Sequence, residues 1–163
     1  MQSLGKKRYI RIYHPQPLEL AEETTLSEAS AHHVATVLRL QAGDGFTLFD
    51  GLDHEYEVTV LEAKKKKVIV KVASKQFICR ESKLKLHLAQ GIAKGDRMQF
   101  SLQKAVELGV SEYTPLWTQH AAFKWDKEFN AKKWQQWENI IISACEQSGR
   151  TQIPKLNPIV TFD

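Results

Sequence analysis

The stretch from Gly95 to Pro154 constrains the fold more than any other, because it reads helix, strand, loop, helix and closes on Glu146-Gln147-Ser148-Gly149-Arg150. In its first helix Met98, Leu102, Ala105 and Val106 form a single apolar stripe, with Asp96 as the expected N-cap and Gly109 just past the end. The second helix is expected after Asn130, another good N-cap. It sets Trp134, Trp137, Ile141, Ala144, Cys145 and Ser148 on one face before Gly149 ends it. Ile140 and Ile142 widen that face beyond what one flat surface needs, so the helix is expected to be deeply buried or shared with a second subunit. Before this stretch Leu84, Leu86 and Leu88 alternate with polar residues and run into Ala89-Gln90-Gly91-Ile92-Ala93, small residues that let a backbone or ligand approach a strand end. Tyr113–Thr118 and Ile153–Val160 read as further strands. This alternation predicts an α/β domain with a parallel sheet and ligands at the carboxyl ends of its strands.

The earlier part of the chain has a different period. Arg8–His14 alternates Tyr9, Arg11 and Tyr13 against Ile10, Ile12 and His14, a half-buried strand stopped by Pro15 and Pro17, with Arg8 or Arg11 on its polar face. Ser27 and Ser30 open a short helix carrying His33, Val37 and Leu40, finished near Gly43. Gly45–Asp50, His54–Leu61 and Lys67–Ala73 follow as three strands, which predicts a small, mostly antiparallel barrel with one helix. Lys75–Glu81 is polar and aperiodic, the expected linker, so the division is read as 1–75 and 76–163.

Charge placement narrows the partner. The net charge of +4 is modest. The first part of the chain is close to neutral, yet its cations cluster in Lys6-Lys7-Arg8 with Arg11 and in Lys64-Lys65-Lys66-Lys67. Such clusters suit a polyanion such as RNA, and a lysine run equally suits a solvated hairpin tip. Cys79 and Cys145 are far apart and lie in no metal-ligand spacing, with no secretory signal ahead of them, so a reduced, cytoplasmic protein without a metal site is expected. Nothing approaches the roughly 18 consecutive apolar residues of a membrane span. GxGxxG, Walker A, CxxC and HExxH are all missing from the sequence, and no glycine-rich nucleotide cradle is visible.

Three groups of polar residues stand out. His32 and His33 precede Val37-Leu38-Arg39 and read either as packing and capping residues or as an RNA contact. Gln103, Lys104 and Glu107 ride on the first long helix, where a solvated face explains them as well as binding does. Glu146, Gln147 and Arg150 end an otherwise apolar, Trp-rich helix, where polar groups need partners, and point to a site or a subunit interface.

At these residues the chain resembles the family of 16S ribosomal RNA uracil-N3 methyltransferases, small subunit methyltransferase E, within the SPOUT superfamily of knotted enzymes. Three signatures carry the resemblance. The first is His33 with Val37-Leu38-Arg39 and Gly43-Asp44. The second is Lys94-Gly95-Asp96-Arg97-Met98 running on to Gln103-Lys104 and Glu107-Leu108-Gly109-Val110. The third is Trp134 with Trp137, Ala144 and Glu146-Gln147-Ser148-Gly149-Arg150 before Pro154. Together they cover most of residues 8–158 in the family's order. The resemblance implies an α/β protein with an N-terminal β-barrel: a PUA-like barrel, then the first part of a SPOUT α/β-knot methyltransferase domain.

It also implies S-adenosylmethionine as methyl donor, no metal, 16S rRNA or the small ribosomal subunit as partner, and a homodimer. Family members continue past the equivalent of Asp163 through a Gly-Pro-Glu-Gly-Gly loop and the knot, so the cofactor-binding residues are expected beyond Asp163. This chain is then either a fragment or a protein that has lost the cofactor site. Gln119-His120 replaces the family's usual Glu-Arg, which puts one cationic RNA contact in doubt. Arg8, Arg11, His33, Arg39, Lys94 and Lys104 are the expected RNA contacts. Methylation at N3 needs removal of an imide proton and stabilisation of the anion left on O2 and O4, for which Glu146 and Arg150 are the visible candidates. The rival readings are a catalytically silent RNA-binding module and a dimerisation fragment built on the Trp134/Trp137 helix.

Overall fold

Val58, Val60, Val68, Val70 and Val72 recur at every second position and are all buried, the pattern of β-branched residues lining one face of paired strands. They sit in β4 (His54–Lys64) and β5 (Lys67–Phe77), an antiparallel hairpin closed by the lysine run. The computed structural model describes residues 9–119 and 127–162. The chain divides into two compact units, Met1–Cys79 and Arg80–Asp163.

In the first unit, β1 (Arg11–Tyr13), β2 (Glu23–Thr25) and β3 (Gly45–Phe49) complete a five-stranded sheet ordered β1-β3-β4-β5-β2. Every pairing is antiparallel except β1 with β3. Helix α1 (Glu28–His32) is capped by Ser27, whose side chain accepts from the Ser30 amide. It buries Ala31, and Val34 just beyond it, against a core of Ile12, Leu18, Leu26, Leu48 and Tyr56. The expected linker is partly strand, since Lys75, Gln76 and Phe77 pair with Tyr56, Glu55 and His54, and the unit ends at Cys79 rather than residue 75. Charged residues on an edge-proximal strand have no apolar period, so this extension of β5 left no trace in the sequence pattern. The short strand β2 was hidden for the same reason.

The second unit carries β6 (His87–Gly91), α2 (Asp96–Glu107), β7 (Glu112–Thr118), α3 (Lys127–Ser148), β8 (Lys155–Leu156) and β9 (Val160–Phe162). All its strand pairings are parallel. β6 lies on one edge of β7, while β8 and β9 share the other, opposite 112–113 and 116–118 respectively. Met98, Leu102, Ala105 and Val106 of α2 are buried, as their spacing requires. The helix begins one residue earlier than Asp96 as a cap would set it: Gly95 is the N-cap, at φ 57 and ψ −129, backbone that glycine alone adopts readily. Asn130 lies inside α3 rather than at its start. On α3 the buried set is Trp137, Ile141, Ala144 and Cys145, while Trp134, Ile140 and Ile142 are half-buried and Ser148 is exposed. The covered face is therefore narrower than the apolar one. Leu84 and Leu86 precede β6 and stay exposed, so the alternation there marked only the end of its run.

One buried ring gives the first unit a pH dependence. The His14 amide donates to the Phe49 carbonyl at 2.9 Å, while its ring, in a residue 7% exposed, leaves Nε2 without a partner among the described residues. Burial lowers its pKa below 6.5 against the opposing pull of Glu22. Below that pH the unfolded chain takes up the proton more readily than the folded one, so stability falls with falling pH by at most about 1.4 kcal/mol per unit. Denaturant melts between pH 7 and 5.5 should show this loss, and His14→Gln should remove that component. An identical pH dependence in the variant would show that the ring is hydrated.

Candidate active site and RNA-facing residues

In a parallel sheet the open ground for a ligand is at the carboxyl ends of the strands. Here β6 ends at Gly91 and passes through Ile92 and Ala93 to the left-handed Gly95, where α2 starts. The Ile92 amide donates to the Leu116 carbonyl at 2.9 Å, which holds this loop against β7. A shallow cleft of about 230 Å³, solvent at its mouth included, opens here between Ala93, Gly95, Met98 and Gln99 on one side and Lys133, Gln136 and Trp137 of α3 on the other. Lys133 donates to Gln136 Oε1 at 3.2 Å within it. Lys94 and Arg97 are exposed beside it. Asp96 is exposed between them, so the rim carries both signs with cations in excess, while the lining itself contains no carboxylate.

Beneath the loop, Tyr113 of β7 is almost fully buried and its hydroxyl lies 3.3 Å from Ser101 Oγ, which also donates to Gln90 Oε1 at 3.3 Å. Burial raises the Tyr113 pKa and the Ser101 hydrogen bond partly offsets this, so the phenol stays protonated and serves as a fixed strut. On the other face of the strands His87 Nε2 lies 2.7 Å from Thr114 Oγ1, and Asn157 Nδ2 donates to both Thr114 Oγ1 and Glu112 Oε2 at 3.1 Å.

The structure separates Glu146 and Arg150 from this end. Arg150 Nη1 donates to the carbonyls of Val106 (3.2 Å) and Val110 (2.6 Å), and Nε and Nη2 donate to Glu81 Oε2 at 3.0 and 2.6 Å. Glu81 Oε1 in turn accepts from the amides of Thr151 and Gln152. Arg150 thus sits where α2 ends and β7 is about to begin, at the amino ends of the strands. The residue is 8% exposed and its guanidinium donates to Glu81, Val106 and Val110, which does not favour the expectation that it stabilises a substrate anion. Glu146 is half-buried on the last turns of α3, roughly 20 Å along the helix from Lys133 at about 1.5 Å per residue.

The expected RNA contacts also divide. Arg8 lies outside the described residues, as does His120 of the Gln119-His120 pair. Arg11 is not a surface cation: its side chain is 1% exposed, its Nη2 is 2.7 Å from Glu55 Oε1, and its guanidinium lies 4.3 Å over the Phe49 ring. Arginine is buried here because the second face of the sheet supplies a carboxylate and an aromatic ring where the alternation implied water. Lys104 is tied to Glu107 at 2.7 Å and shares it with Gln103. His33, Arg39 and Lys94 are exposed. Arg39 holds φ 55, a strain of about 1 kcal/mol for a non-glycine residue. Glu81 escaped the sequence reading because it lies in the aperiodic stretch and its partner is 69 residues away. Lys133 and Gln136 escaped because they occupy the polar side of a helix read for its apolar one. Among the described residues no group of three or more metal-ligating side chains is found. No helix among them is long and apolar enough to cross a membrane.

Comparison with known proteins fits both units. Residues 80–163 match the family described as RNA methyltransferase domain, and residues 26–73 match RNA methyltransferase PUA domain. The chain is 37% identical over 154 residues to ribosomal RNA small subunit methyltransferase E of Buchnera aphidicola subsp. Schizaphis graminum, covering 94% of this chain and 63% of that protein. Its fold superposes with a TM-score of 0.92 and 48% identity on a Legionella pneumophila protein in complex with the bound cofactor SAM, covering 94% of this chain and 64% of that one. It also superposes, at TM-score 0.89 and 35% identity, on ribosomal RNA small subunit methyltransferase E from Neisseria gonorrhoeae bound to S-adenosyl methionine, over 94% and 63% of the two chains. The chain spans less than two thirds of the length of these relatives.

The Arg150 network predicts its own test. Burial alone would raise the Glu81 pKa, but the hydrogen bonds from Arg150, Gln152 and Thr151 and the guanidinium charge outweigh it and hold the carboxyl below 4.5. A depressed folded pKa stabilises above the unfolded value and is lost as pH falls through the folded one. Glu81→Gln should therefore destabilise the second unit by about 3 kcal/mol at pH 7, the usual penalty for stranding one member of a buried pair. The gap to the unaltered chain should close as pH falls through the depressed folded pKa of Glu81. Equal melts of the two chains at pH 7 would show that the pair is not needed.

Proposed function

The chain belongs to the RNA methyltransferase family, and from that premise we propose that it provides the RNA-binding unit and the first part of the catalytic unit of a small subunit methyltransferase E, an enzyme that methylates 16S rRNA. What supports this reading most is its extent, since the agreement with S-adenosylmethionine-bound relatives covers both units and 94% of the chain. The reaction proposed is transfer of the sulfonium methyl of S-adenosylmethionine to N3 of one uridine. When bound, the cofactor supplies the electrophilic methyl group.

The described residues do not fit that cofactor by themselves. The cleft at the end of β6 is shallow and open to solvent, and it does not enclose a ligand of this size. What this chain contributes is positional. Lys94 and Arg97 offer charge to the RNA backbone at the carboxyl end of the sheet. Gly95 lets the chain turn tightly enough to bring α2 up to that end, and Ser101, Tyr113 and Gln90 fix the loop. Glu81 and Arg150 lock the opposite ends of α2 and α3. Glu146 is proposed to help hold this second anchor rather than to take the imide proton.

The assembled form proposed is a homodimer in the cytoplasm, supported by the half-buried Trp134, Ile140 and Ile142 flanking the buried face of α3. Disruption of the gene that encodes this chain, followed by mass spectrometry of 16S rRNA nucleosides, should remove a single N3-methyluridine. An unchanged nucleoside profile would overturn the enzymatic reading, and RNA binding retained in that case would leave the non-enzymatic module.

A further inference from the structure

Arg11 of β1 is buried against Glu55 and Phe49 and offers no charge to solvent. Among the described residues of the first unit, Lys71 and Lys75 are paired with Glu23 and Glu19, and further exposed cations stand after α1 and at the tip of the β4–β5 hairpin, next to backbone that is unusual. The Leu38 amide donates to the His33 carbonyl at 2.9 Å, five residues back where an α-helix uses four, and the Leu40 amide reaches Val34, six back, at 3.0 Å. Such widened turns recur at functional sites. Arg39 follows at φ 55, a conformation that glycine or asparagine would hold with less strain. Among the described residues the side chains of His33 and Arg39 have no hydrogen-bond or ion-pair partner. The flanking Leu38 and Leu40 pack against the core and hold this backbone, which leaves Arg39 exposed on a strained position of the kind that clusters at ligand sites.

The lysine tip lies along the same segment. Lys66 Nζ is 3.6 Å from Glu28 Oε1 at the start of α1, and the Leu26 amide donates to Val68 at 3.0 Å. At the other end the Gly43 amide donates to Val60 of β4 at 2.8 Å. The segment from Glu28 to Gly43 is thus laid alongside the end of the hairpin, with Lys64–Lys67 by its start and Arg39 near its far end. The helical part spans roughly 15 Å at about 1.5 Å per residue. Lys64 is engaged with Glu62, while Lys65 and Lys67 have no ion-pair partner among the described residues. Lysines on flexible stems and one arginine, with no exposed Phe, Tyr or Trp on the segment to stack a base, suit backbone phosphates rather than base edges.

We infer that Lys65, Lys66 and Lys67 together with His33 and Arg39 form one surface on the first unit that holds an RNA backbone through its phosphates, independently of sequence. This rests on the reading of the chain as part of an rRNA methyltransferase and names the surface that reading leaves open.

Fluorescence anisotropy of the full chain with two labelled RNA hairpins of unrelated sequence, across a salt series, tests it. The Lys65→Ala/Lys66→Ala/Lys67→Ala variant should bind both hairpins about tenfold more weakly or worse at low salt. Its log–log salt slope should be shallower by about 2, since each lost phosphate contact removes about 0.7 to 0.9. Arg39→Gly should bind several-fold more weakly while melting no lower than the unaltered chain, because glycine accepts φ 55; a loss of binding there is not a loss of fold. Wild-type binding by both variants, with Lys94→Ala/Arg97→Ala losing it, would overturn this surface and leave the proposed function standing. A loss confined to one hairpin would overturn the phosphate assignment. No binding by the unaltered chain to either hairpin or to 16S rRNA would overturn the proposed function and this surface together.

Discussion

The second unit depends on one buried ion pair. Arg150 and Glu81 join the segment that opens the unit, the end of α2 and the end of α3, elements that the chain visits far apart in sequence. A guanidinium buried to this depth is unfavourable unless its donors are met, and here two backbone carbonyls and a carboxylate meet them in the plane of the fork. Gly149 makes the geometry reachable. At φ 80 it stops α3, its amide donating back to Cys145, and turns the next residue inward toward α2. The same glycine that ends the helix therefore aims the arginine. With that anchor set at the amino ends of the strands, the carboxyl ends are left to loops: Gly91 to Gly95 on one side, the exit of β7 on the other.

The parts of this fold that could be read from the sequence are those where one physical requirement repeats. Met98, Leu102, Ala105 and Val106 announced α2, and the alternating valines announced the β4–β5 hairpin, because burying a face forces a period. Glu23–Thr25 and the Lys75–Phe77 end of β5 announced nothing, since backbone pairing holds them and their side chains face water. The start of α2 was misplaced by a residue because a good capping side chain at Asp96 is a weaker requirement than the backbone angles at Gly95.

The site was less legible than the fold, and arginines show why. Arg11, Arg39 and Arg150 carry the same charge in the sequence, yet one is stacked on Phe49 and paired with Glu55, one is exposed on strained backbone, and one ties three segments together. What distinguishes them is the partner, and the carboxylates concerned lie 44 and 69 residues away. Local pattern has no access to such pairs. The resemblance to the methyltransferase family marked the Glu146 to Arg150 motif as important without saying whether it acts on substrate or on the fold.

The two short strands on one edge of β7 have a cause that lies in a single atom. Along that edge Lys155 and Asn157 donate to Ser111 and Tyr113 in turn, and the next rung of a parallel ladder would come from the nitrogen of residue 115. Residue 115 is proline, with no hydrogen to give, so the seam can part there without stranding a donor. Pro158 lies in the part of the neighbouring chain that crosses the gap, and it too lacks an N–H. The ladder resumes only at Val160 opposite Leu116. An interruption that would weaken most central strands is here a seam placed where the backbone had nothing to lose. It lets residues 157–159 change course between two footholds on β7.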